Sequence, residues 1–153
     1  MHRGLGRRII RHVALPDYGI LLLRVTLGGL FVAHLAWKLL MFEGGVGGWS
    51  SALMEAGYPA FVPYYVLSAE IAGALLLIPG FWTRWVSLYA VPMMIGASHF
   101  WLARKGFYFT AAGAELPLLW TILLVTQGLL GDGPHALAPS PSFPVRLLAK
   151  STK

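Results

Sequence analysis

Six ionisable side chains interrupt otherwise apolar stretches: Arg24, His34, Lys38, Glu70, His99 and Glu115. Imidazoles and carboxylates are the usual proton-transfer groups, and a few of them converging on an apolar slot can orient and protonate a ligand. His34 and Lys38 are four apart, so on a regular helix they lie one above the other, and Arg24, Gly28 and Phe31 share nearly one side. The same imidazoles and carboxylates suit zinc or non-haem iron. However, the Glu-x-x-His pattern of carboxylate-bridged bundles is absent, so no metal site is expected. Haem ligation by His34 and His99 has no better support, since two histidines on separate helices are commonplace. The chain has no cysteine, which excludes disulfides, a thiolate nucleophile and cysteine-ligated iron–sulfur clusters. No nucleotide-binding glycine loop, nucleophile elbow or zinc-protease signature is present.

The elements that must position these groups follow from composition. Hydrophobic residues make up 57% of the 153 residues and charged residues 12%, too few to cover a soluble fold, so lipid is the expected solvent. Four apolar segments of spanning length are predicted, at about 18–42, 61–80, 86–103 and 111–130. The first is too long for a signal-peptide core and carries Arg24, His34 and Lys38, so it is expected to stay in the mature protein. Turn residues punctuate the others: Pro79-Gly80, Arg104-Lys105-Gly106 and Gly131-Asp132-Gly133-Pro134. The fold class expected is all-α, an integral membrane four-helix bundle within residues 18–131. It is flanked by a basic segment at 1–17 and a tail at 132–153 that is flexible or lies on the membrane surface. Gly29/Ala33 and Ala69/Gly73 are the small-residue pairs expected to let helices approach.

The net charge of +6 is spread over tails and connections, so it reads as a topology signal and no nucleic-acid partner is expected. Arg3, Arg7, Arg8, Arg11, Arg84, Arg146, Lys150 and Lys153 collect on one side, which makes it cytoplasmic and puts both termini there. At ~1.5 Å per residue, His34 and Glu70 then lie ~12 and ~14 Å below the outer surface, and Lys38, His99 and Glu115 ~6 Å below it. Only Arg24 falls toward the cytoplasm. These charges can form a functional cluster, or can simply pin helix register.

The run Leu23-Arg24-Val25 with Gly28, Phe31, His34 and Lys38 resembles the first helix of the DoxX family of small bacterial membrane proteins. Gly57-Tyr58-Pro59, Glu70-x-x-Gly73, Leu76-Leu77-x-Pro79-Gly80-x-x-Thr83-Arg84, Glu115-x-Pro117-Leu118 and Gly131-x-Gly133 extend the resemblance in order along the chain. It implies a multi-pass protein of the bacterial inner (plasma) membrane, in a family where some members are linked to quinone-coupled sulfur oxidation or membrane oxidoreductase complexes.

The leading expectation is therefore a quinone-linked or accessory subunit of a membrane oxidoreductase system, with other membrane or redox proteins as partners. His34, Glu70 and His99 would supply polar contacts beside Phe31, Trp37, Phe100 and Trp101. A non-catalytic scaffold is the alternative. A small proton-coupled transporter is a third reading, disfavoured because alternating access usually needs repeats and broken helices.

Overall fold

A computed structural model describes residues 15–141. The basic segments carrying Arg3, Arg7, Arg8 and Arg11, and Arg146, Lys150 and Lys153, lie outside the described residues. Within them the chain is helical, with one isolated bridge, Phe81 to Ala138, and no β-strand.

Helix α1 spans Leu15–Ala36, with Pro16 and Asp17 in its first turn, where a missing N–H and a negative charge are both tolerated. It continues through a π-helical stretch at Trp37–Met41. Helix α2, Gly45–Glu55, occupies the connection between the first two predicted spans, 18–42 and 61–80. Helix α3, Phe61–Ala72, again passes into a π-helical stretch, Gly73–Leu77. Helix α4 is Thr83–Lys105 and helix α5 is Glu115–Leu130. Helices α1, α3, α4 and α5 pack in a cycle, α1 against α3 and α5, and α4 against α3 and α5. Residues 42–60 and 106–114 mark one end of this assembly, here the loop end. Residues 78–82 and 131–141 mark the other, the terminal end.

Two helices are long and apolar enough to cross a membrane: the run Leu15–Met41 and α4, while Phe61–Leu77 and α5 are shorter apolar helices. Only 22% and 28% of the most apolar windows of the two long helices are buried. Core helices of a soluble protein would be mostly enclosed, whereas here Leu22, Ile122 and Leu129 are 68%, 55% and 73% exposed. Such a surface suits hydrocarbon.

The core is a column of Leu27, Phe31, Leu77, Met94, Trp120 and Leu124. Helix α1 approaches α3 through Gly28, where a Cβ would meet the Ile78 side chain, and through Phe31, whose ring fills the space a Cβ on Gly73 would need. Ala69 on α3 and Gly73 at the start of the π-helical stretch are both buried, but on α1 the expected pair Gly29/Ala33 is exposed, with nothing near Gly29. Burial of Arg24 sets the rotation of α1, and the stripe Arg24, Leu27, Gly28, Phe31 turns Gly29 outward.

Residues 132–141, expected to be a flexible or surface-lying tail, instead fold back over the terminal end. Ala138 donates to the Gly80 carbonyl at 3.1 Å and accepts from Trp82 N–H at 3.1 Å. Pairing with the 79–82 turn satisfies backbone groups that a free tail would leave to solvent.

Candidate functional site

Lys38 and Glu70 meet inside the protein. Lys38 Nζ donates to both carboxylate oxygens of Glu70, at 2.7 and 2.6 Å, and the two residues are only 3% and 4% exposed. The ammonium also lies 3.8 Å from the ring centroid of Trp49, so α2 lays an aromatic face over the pair. Each charge is thus neutralised at short range, as burial requires.

His34 is not part of that pair. The π-helical stretch that follows α1 closes i→i+5 rather than i→i+4 bonds, which widens the turn and breaks the stacking expected for residues four apart. Lys38 turns inward and His34 stays on the exposed face. The imidazole packs edge-on against Trp120, ring centroids 4.8 Å apart, and Trp120 lies against Phe31 at 5.1 Å. Between α1 and α5, His34 and Trp120 line a groove of about 210 Å³ together with Leu30, Leu116, Leu119 and Leu123. Trp120 Nε1 is buried without an acceptor among the described residues.

The remaining predicted site residues go elsewhere. Glu115 Oε2 accepts from Phe109 N–H at 3.0 Å, closing the turn before α5. His99 is exposed on α4, with no hydrogen bond or ring contact among the described residues. None of the expected aromatic walls lines the groove: Phe31 is buried behind Trp120, Trp37 packs on Phe42, and Phe100 packs on Trp101 and Tyr58. Among the described residues no three His, Asp or Glu side chains converge as metal ligands.

Arg24 works at the terminal end. Its guanidinium donates to the carbonyls of Asp132 and His135, at 2.9 and 3.1 Å, and occupies the space a Cβ on Gly80 would need. Asp132 is the residue sequence reasoning missed here. Its carboxylate accepts from Ser140 N–H at 2.8 Å and Ser140 Oγ at 2.7 Å, and from the backbone N–H groups of Thr83 and Arg84. Helix α4 has no side-chain cap of its own from Trp82, so Asp132 supplies it across space together with Ser140, whose Oγ accepts from Arg84 N–H at 3.2 Å. Partial burial works to raise the Asp132 carboxyl, but these hydrogen bonds outweigh it and hold it below the usual carboxylate range. An acidic residue bracketed by Gly131 and Gly133 was the available signal, although nothing in that spacing names its partner.

The DoxX family model matches residues 19–104, while no curated protein and no solved structure matches the chain. The match takes in most of α1, all of α2 and α3 and nearly all of α4, and with them Arg24, His34, Lys38, Glu70 and His99. Spanning more than half of the 153 residues, it establishes that this protein is a member of the DoxX family.

Proposed function

We propose that the protein is a four-span bundle of the bacterial inner membrane, termini in the cytoplasm, that binds the head of a quinone or similar apolar redox molecule in the His34 groove. The observation that carries this is the His34 imidazole, an ionisable group held against Trp120 at the wall of an otherwise apolar slot. A slot of about 210 Å³ is smaller than a typical site of about 300–1,000 Å³, so it suits a single ring with its tail left in lipid. The imidazole N–H can donate to a quinone carbonyl, and the Trp120 ring offers an apolar wall beside it. With no redox centre of its own kind in the sequence, the chain would take electrons from a partner subunit. Apolarity of α3 and α5, and the basic residues flanking the terminal end, support the four-span topology.

Mass spectrometry of lipids co-purifying in mild detergent tests this reading. A redox lipid recovered with the wild type and lost from folded His34→Ala is the expected result. An empty wild type that brings down a stoichiometric membrane partner would replace it with the scaffold reading. That second reading draws on the Lys38–Glu70 pair, closed on itself as a register-fixing contact is.

A further inference from the structure

At the terminal end five polar side-chain atoms are buried with no hydrogen-bond partner among the described residues; His135 Nε2 belongs to a half-buried residue of the covering segment, and the other four are Arg24 Nε, Thr83 Oγ1, Ser87 Oγ and Gln127 Oε1. Those four residues are at most 1% exposed. Helical hydroxyls ordinarily satisfy themselves by bonding back along the helix. Ser98, Thr121 and Thr126 do so here, each to the carbonyl four residues earlier, at 2.8 Å. Ser87 does not, and Thr83, one turn before it on the buried face, opens α4 and has no helical carbonyl four residues earlier to bond.

The four residues belong to one corner. A Cβ on Gly128 would meet Leu88 and the Arg84 carbonyl, and one on Gly131 the Arg84 guanidinium, so residues 83–88 of α4 lie level with 127–131 of α5. Arg24 reaches the same level through the Asp132 carbonyl, and Asp132 caps Thr83 and Arg84. We propose that these side chains hold a small cluster of water molecules inside the terminal end of the bundle.

The donor set selects water over other small occupants. A cation would face the Arg24 guanidinium. An anion would face the Gln127 oxygen, which is fixed as an acceptor because the amide nitrogen is committed to the Gly131 carbonyl at 2.7 Å. Water alone accepts from Arg24 and donates to Gln127 while serving both hydroxyls. Toward the loop end the fully buried Leu27, Phe31, Leu77 and Leu124 form a dry layer, and at the other end residues 132–141 cover the corner. The water is therefore enclosed and does not reach His34.

Stability of purified full-length protein in detergent tests the cluster. Thr83→Val and Ser87→Ala keep shape and remove only a hydroxyl. If each hydroxyl holds water, both variants melt lower than wild type by several degrees. A dry, unpaired hydroxyl gives the opposite sign, because deleting it removes a buried polar group. Ser87→Ala is then combined with Gln127→Leu. No direct hydrogen bond joins the two residues, so a melting shift of the pair that differs from the sum reports shared water. If Gln127→Leu does not fold, Thr83→Val takes its place in the cycle. Unchanged or raised melting of Thr83→Val and Ser87→Ala, or an additive pair, overturns the proposal.

Discussion

Lys38 Nζ sits between both oxygens of Glu70, 2.7 and 2.6 Å away, and reaches them from the π-helical stretch that follows α1. Glu70 lies just before the second π-helical stretch, at Gly73–Leu77. Lys38 therefore stands where its helix is irregular and Glu70 in the last turn before its helix becomes so, and the two meet between separate apolar helices.

Removing one partner leaves the other buried and unpaired. Glu70→Gln should lower stability by about 3–5 kcal/mol, whereas Lys38→Met combined with Glu70→Met should recover most of that loss. Thermal melting and folded yield in detergent measure both. A Glu70→Gln protein as stable as wild type would show that the pair does not hold the helices.

Close approach of α1 to α3 gives a second contrast. A methyl at Gly73 overlaps the Phe31 ring, so Gly73→Ala should cost about 1–3 kcal/mol as an overpacked core does. Gly29→Ala, with open space around it, should leave melting unchanged or raise it slightly. Equal effects of the two substitutions would contradict this helix arrangement.

Much of this arrangement is readable in the sequence because it depends on local pattern. The stripe Arg24, Gly28, Phe31 lies on one face at helical spacing, and that face is buried. Turn residues mark the ends of α3 and α5, as Pro79-Gly80 and Gly131 show. What was not readable depends on non-local geometry. Regular periodicity puts His34 with Lys38, and only a π-helical stretch, which no residue type announces, separates them. Helix α2 was hidden because Gly45, Gly47 and Gly48 read as loop, although the segment is held in place by Trp49 over Lys38. The cap that Asp132 gives α4 joins residues about fifty apart, and spacing carries no information about it.

Acid should release the terminal end. The Asp132 carboxyl lies below its ordinary value when folded, so its contribution is present above the unfolded value of about 3.9 and is lost as pH falls through the folded value. Amides at Thr83, Arg84 and Ser140 should therefore exchange faster with solvent at low pH in the wild type. In Asp132→Asn they should exchange faster already at neutral pH and change less on acidification. Hydrogen exchange read by mass spectrometry checks this, and a wild type with no acid-dependent change at these amides would refute it.

His34 and Trp120 touch, yet they should separate cleanly when each is replaced. His34 is exposed and makes no hydrogen bond among the described residues, so His34→Ala removes little packing and should change stability by less than about 0.5 kcal/mol. Trp120 is 9% exposed and fills the core against Phe31, so Trp120→Ala should cost about 3–5 kcal/mol. Melting in detergent gives both numbers. If His34→Ala is as damaging as Trp120→Ala, the imidazole is a structural contact and the groove loses the group that makes it a site. If His34→Ala melts like wild type, any ligand lost with it is lost because the imidazole bound it.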